Sequence, residues 1–246
     1  MSIVQPYPAP PIIDAIVELR FKAPLHRREH DRAVKALKPC YDIHKEMTEV
    51  DVQLKVENGK IEAQPGKSKI VHVLSNNDQN DFCRVEESKF HWSRLPPYEG
   101  WPRFETRVIR DVQNIRRKIR FPNLERVGVR YRNRIDVPED SRGVFSYEEY
   151  LSVNINLPNL LNPHDGYQWK IDKHFAKKEI SATVISGIIP SEIPGTIAVL
   201  LDIDVYVVDN LPADEDNLSK KIGLMRALKN EIFEACVTDK ARESFK

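Results

Sequence analysis

The stretch RVGVRYRNRID, Arg126–Asp136, alternates with the period of two that marks a β-strand. Arg126, Arg130, Arg132 and Arg134 fall on one face. Val127, Val129, Tyr131 and Ile135 fall on the other, followed by Val137, with Asn133 as the one polar interruption. A strand with one apolar face is half-buried, the habit of antiparallel sheets. The apolar face calls for helices packed against it. The arginine face calls for a second explanation, either carboxylates on neighbouring strands or something that binds there.

Working outward, Ile13–Phe21 alternates in the same way, with Ala15, Val17 and Leu19 opposed to Asp14, Glu18 and Arg20. A polar helix over 25–37 follows Pro24. Strands are expected over 47–57, 60–63, 69–75 and 81–95, the last interrupted near Ser88. Asn58-Gly59 signals a hairpin and Pro65-Gly66 a turn. Trp101, Phe104, Val108, Val112, Ile115 and Ile119 step by three and four, so a long amphipathic helix is expected over 100–120. Beyond the arginine strand, Ser146 and Glu149 have capping-box spacing for a short helix. Strands are expected over 167–175, 179–188 and 196–208. A final helix over 214–237 carries Leu218, Ile222, Met225, Ile232 and Cys236 as its stripe. The fold class is α+β, an antiparallel sheet with two long helices. Residues 1–122 and 123–246 both read strand, helix, strands, long helix, so a pseudo-duplicated unit in one compact body is expected. That element order resembles the TATA-binding-protein-like and GyrI-like folds.

The composition is that of an ordinary globular protein, with 41% hydrophobic and 30% charged residues and a net charge of +1 over 246 residues. No bulk field draws the chain to nucleic acid or an anionic membrane, so either would need a local patch. Cys40, Cys83 and Cys236 are too few and too scattered for a disulfide framework or a zinc ribbon. No run approaches 18 apolar residues and no secretory leader pattern opens the chain. The reading therefore expects a cytoplasmic protein without a membrane partner. With nine glycines and no phosphate-binding loop or nucleophile elbow, no cofactor, metal or catalytic residue is assigned.

Four segments occur in a telling order: PPIIDAIVELRF near the start, FHWSRLPPYEGWPRFE from Phe90, RYRNRI from Arg130, and FEACVTDKARESF from Phe233. Together they resemble a sporadically distributed family of bacterial and archaeal proteins of similar length, one without an assigned activity. The likeness spans nearly the whole chain. It departs from the family pattern at Tyr131-Arg132-Asn133-Arg134-Ile135, where that pattern is apolar or aromatic with an Asn. It departs again at Leu228-Lys229, where the family often has Leu-His, so no histidine site can be carried over there. The sporadic distribution implies genes that travel between genomes, as those of defence and toxin–antitoxin loci do.

HRREH, His26–His30, matches the inverted zinc-peptidase motif, with two histidines one turn apart and Glu29 as a base. It opens a short, highly charged helix with no evident third ligand, so a solvated helix turn is the reading adopted. Glu18, Arg20 and Lys22, then Lys170, Asp172 and His174, then Asp202 and Asp204 alternate like the lumen of a triphosphate-tunnel enzyme. Arg20, however, replaces one of that lumen's carboxylates. Cys83 reads as a core residue. Phe90, Trp92, Tyr98 and Trp101 read as a core corner in preference to a stacking platform. From Arg103 to Arg134 there are eleven basic and three acidic residues. Three readings of this excess stand. The strand arginines pair internally with Glu18, Asp172, Asp202 or Asp204, or they meet a protein partner or second copy, or they bind nucleic acid. The binding candidates are Arg126, Arg130, Arg132, Arg134, Glu18, Arg20, Asp202 and Asp204. The helix cations Arg107, Arg110, Arg117, Lys118 and Arg120 are expected to face solvent. The functional expectation is a non-enzymatic binding or regulatory protein that recognises its partner through a sheet face.

Overall fold

The computed structural model describes residues 7–57, 60–140, 145–153, 158, 160 and 166–246. Nine strands form one antiparallel sheet: β1 (Ile12–Phe21), β2 (Ile43–Glu57), β3 (Lys60–Ser75), β4 (Asp81–Val85), β5 (Lys89–Arg94), β6 (Leu124–Pro138), β7 (Gln168–Phe175), β8 (Ile180–Ile189) and β9 (Thr196–Val207). Their spatial order is β2-β3-β4-β5-β1-β6-β9-β8-β7. The arginine strand β6 therefore lies near the middle, between β1 and β9. The registers place Val17 opposite Val129, and Val129 opposite Val205, all on the apolar face.

Three helices cover that face: α1 (Arg27–Leu37), α2 (Trp101–Arg116) and α3 (Glu215–Cys236), with a short α4 (Asp239–Glu243) at the end. α1 touches β4, α3 lies on β6 and β9, and α2 sits between α1 and α3. The α2 stripe is buried from Trp101 to Ile115 as its period requires. Each such side chain removed from water contributes about 1.5–3 kcal/mol. Gly100 precedes this helix at φ 95°, a left-handed conformation that suits glycine. No described helix is long and apolar enough to cross a membrane.

The two halves of the chain thus share one continuous sheet. They differ in strand number, five before α2 and four before α3. In the second half a single 3-10 turn, Tyr147–Glu149, stands among the described residues where the first half has α1. Ser146 makes no side-chain cap there, and Glu149 pairs with Lys240 of α4. The expected turn at Pro65-Gly66 does not form. β3 runs straight through, with Pro65 opposite Val52 and a register shift between Val50 and Val52. β4 reaches β3 only over His72–Ser75, so β3 near Pro65 has a single strand neighbour among the described residues, and a proline without an N–H is tolerated there. Asn58-Gly59 lies outside the described residues. The break near Ser88 is present, closed by the Glu86 amide donating to the Lys89 carbonyl at 3.0 Å. Helix α2 ends at Arg116, earlier than expected, although Ile119 is still buried. The α3 stripe continues through Leu228, Lys229 and Phe233, whereas Ile232 and Cys236 are only partly covered.

One buried carboxylate ties the layers together. Asp111 of α2, fully buried, accepts from Trp92 Nε1 of β5 at 2.9 Å and from the Tyr41 hydroxyl at 2.5 Å. Arg110 adds contacts of 2.9 and 2.7 Å. Replacing Asp111 by Ala strands two buried donors, so Asp111→Ala should cost about 3 kcal/mol in urea unfolding without changing the slope. A loss below about 0.5 kcal/mol would mean that the carboxylate does not join helix to sheet.

Candidate functional site: the charged face of the sheet

The face opposite the helices carries the even positions of β6. Antiparallel register decides what surrounds them. Arg132 stands opposite Asp14 of β1 and Asp202 of β9, Gly128 opposite Glu18 and Tyr206, and Arg130 opposite Ile16 and Asp204. The sequence candidates are thereby brought to one place from three strands.

Most of these charges pair with one another. Arg126 spans two strands, reaching Glu18 of β1 at 3.0 Å and Asp204 of β9 at 2.7 Å. Its guanidinium lies 4.5 Å from the Tyr206 ring centroid. It also lies directly over Gly128, where an added Cβ would come within 2.4 Å of Arg126 Nη1. The glycine in mid-strand is the space that this arginine fills. Arg130 grips Asp202 with two hydrogen bonds of 2.8 and 2.5 Å, a bidentate arrangement. Arg134 pairs with Asp136 at 3.1 Å and lies 3.8 Å from Glu192. Arg20 reaches Glu18 at 3.0 Å. Lys89 bridges Glu18 and Glu86 and extends the lattice to β5, while Lys69 and Arg84 carry it to β2 and β3. Asp172 takes no part; on β7 it bonds Lys170 and Thr183.

Not every group is matched. Arg132 makes no ion pair within 4.0 Å among the described residues. One oxygen of Asp204, Oδ1, is buried without a hydrogen-bond partner among the described residues. A depression of about 180 Å³ opens here, between Ile16, Glu18, Arg20, His91, Arg126, Arg130 and Asp204. Burial pushes the Asp204 carboxyl up against the pull of Arg126 and Arg130. Burial also pushes up Glu18, but Arg20, Lys89 and Arg126 together outweigh it and hold that carboxyl below its ordinary value. Burial drives the His91 imidazole down to about 4, despite Glu18 opposite it.

The other sequence candidates fall elsewhere. Arg107 does not face solvent as expected. It lies in the helix layer, bonded to Asp81 at 2.9 Å and to the Ser93 and Phe82 carbonyls at 2.8 and 3.1 Å, and fastens α2 to the sheet end. Phe90, Trp92 and Trp101 are core, and the Tyr98 hydroxyl meets that of Tyr131 at 2.7 Å. Cys83 is fully buried, and burial pushes its thiol far up, away from nucleophilic use. In HRREH, His26 caps α1 and Glu29 bonds the His26 amide at 3.3 Å, so the inverted zinc-peptidase geometry does not form. A tunnel lumen needs a closed barrel, whereas among the described residues this sheet ends at β2 and β7, which do not pair. Sequence reading missed Lys229, buried on α3 with Nζ 3.9 Å from the Tyr131 ring centroid, where burial brings it down to about 7. It also missed His91 and the role of Gly128, whose signal was a glycine between two arginine positions of one strand face. No family model and no curated protein matches the chain.

Two measurements check this geometry. Gly128→Ala should cost about 1–2 kcal/mol by forcing Arg126 off its carboxylates, and the cost should vanish in an Arg126→Ala background. An equal cost in both backgrounds would show that the glycine does not serve the arginine. His91 is held neutral in the fold, so its contribution is complete above the unfolded value of 6.5 and is lost as pH falls from 6.5 towards 4. Between pH 7 and pH 4.5 the native protein should lose roughly 2 kcal/mol more stability than His91→Gln. Identical pH profiles would refute the half-buried neutral imidazole.

Proposed function

We propose that this protein is a non-enzymatic binding or regulatory module that recognises a partner protein through the open face of its sheet. The observation that carries the reading is the state of the strand arginines. Arg126, Arg130 and Arg134 already face carboxylates, so the face presents both signs of charge in a fixed pattern. Counterion release from a nucleic acid requires basic groups free to neutralise phosphates. Here a phosphate would meet Glu18, Asp202 and Asp204 as well. A protein surface carries both signs and can be complementary to such a pattern. The basic excess between Arg103 and Arg134 is also divided. The α2 residues Arg103 and Arg107 pair with Glu99 and Asp81 in the helix layer, apart from the β6 face.

Nine strands at the usual spacing give a face roughly 38 Å across, ample for a standard interface of about 800 Å² per partner. The groups left for recognition are the unpaired Arg132 and the half-exposed Arg20 and Arg130. As part of this proposal, the partner is encoded by a neighbouring gene in a mobile defence or toxin–antitoxin type locus and meets this chain in the cytoplasm, a reading supported only by the resemblance to a sporadically distributed family.

The test is co-purification of the tagged full-length chain expressed with its flanking genes. A partner protein should be retained, and Arg20→Glu with Arg132→Glu should release it while stability changes by less than about 1 kcal/mol. Lys220→Glu, an exposed position on α3, should leave it bound. Retention unaffected by the double variant, or salt-sensitive binding of random DNA or RNA by the isolated chain, would overturn the proposal.

A further inference from the structure

Three histidines meet on the helix side of the sheet, far in sequence but close in space. His30 of α1 and His72 of β3 are both buried, with ring centroids 5.1 Å apart. His44 of β2 stacks on His72, also at 5.1 Å. Asp31, beside His30, is exposed. One donor atom each of His30, Asp31 and His72 lies within 4.8 Å of the other two. We propose that His30, Asp31 and His72 form a binding site for a divalent transition-metal ion of the zinc type, with His44 orienting His72.

The hydrogen bonds are those a metal site requires. His30 Nε2 lies 3.2 Å from the Val85 carbonyl oxygen, which can only accept. The proton is therefore on Nε2, and Nδ1 keeps its lone pair for coordination. His72 Nδ1 is 3.0 Å from His44 Nε2, so His72 is left Nε2 as its coordinating nitrogen when it donates to His44. A second-sphere acceptor on the outer nitrogen is the usual companion of a ligating histidine. Asp31 makes no hydrogen bond or ion pair among the described residues, so its carboxylate is free to swing inward. Zinc at its ordinary bond lengths needs donors roughly 3.4 Å apart, within reach of a rotamer change of that exposed side chain. Two imidazoles and one carboxylate suit zinc, cobalt or nickel and do not suit calcium or magnesium. The fourth position is left open by these three residues. Glu46, 3.7 Å from His72 Nδ1, adds negative charge nearby.

The experiment titrates the metal-free full-length chain with Zn²⁺ by calorimetry and with Co²⁺ by visible absorption. One ion per chain should bind with a Kd of about 10 µM or tighter, and Co²⁺ should give the intense bands of a four-coordinate site. Asp31→Asn changes only an exposed side chain and should weaken binding about tenfold. His72→Gln should weaken it more than about 100-fold, and His44→Gln about tenfold through the outer sphere. His26→Gln, at the other end of HRREH, should leave affinity unchanged. Absence of binding below about 1 mM, or Asp31→Asn and His72→Gln both binding as tightly as the native chain, would overturn the site.

Discussion

The guanidinium of Arg126 is the interaction on which the open face depends. It lies over Gly128, rests on Tyr206 and joins Glu18 of β1 to Asp204 of β9. A carboxylate half out of water is costly unless something positive meets it. Arg126 meets two, Arg130 meets Asp202 and Arg20 also reaches Glu18, so three guanidiniums match three carboxylates at the centre of the sheet. Everything the face can do follows from that. With its arginines engaged, it is a patterned surface of mixed charge and does not act as a positive patch.

The same strand faces two environments. On one side Tyr131 and its neighbours pack against α3 and hold Lys229 over an aromatic ring. On the other, Arg126 and Arg130 are fixed by carboxylates from the neighbouring strands. Antiparallel pairing makes this possible, because it brings β1 and β9, distant in sequence, to either side of β6 with Glu18, Asp202 and Asp204 on the face that carries its arginines. The helix layer is fastened separately, by Asp111 and Arg107, so the open face can engage a partner without disturbing the core.

Much of this was legible in the sequence, for definable reasons. Period-two alternation marks β1 and β6 because one side of each is buried and the other is not. The long helices are legible from their stripes. The candidate carboxylates Glu18, Asp202 and Asp204 could be named because alternation places them on the face opposite the core. Which arginine meets which acid depends on register between strands some 70 to 100 residues apart, and no local signal encodes it. Arg107 was misplaced because helical periodicity tells which side chains avoid the stripe and does not tell that the sheet end offers Asp81 to one of them. Pro65 was read as a turn because a proline's cost depends on whether a second strand lies beside it. The histidine cluster was out of reach for the same reason as the ion pairs: His30, His44 and His72 share no motif, and only the crossing of α1 over β3 assembles them.

The central claim is that the β6 arginines are held by carboxylates before any partner arrives. Arginine side-chain NMR of the free protein tests it directly. The Arg130 Nε–H, bonded to Asp202 at 2.8 Å, should exchange slowly with water and lose that protection in Asp202→Asn. The Arg132 Nε–H should exchange at the rate of a solvated guanidinium in both. Equally fast exchange at Arg130 and Arg132 in the native chain would contradict the account, because the face would then be a cluster of free cations.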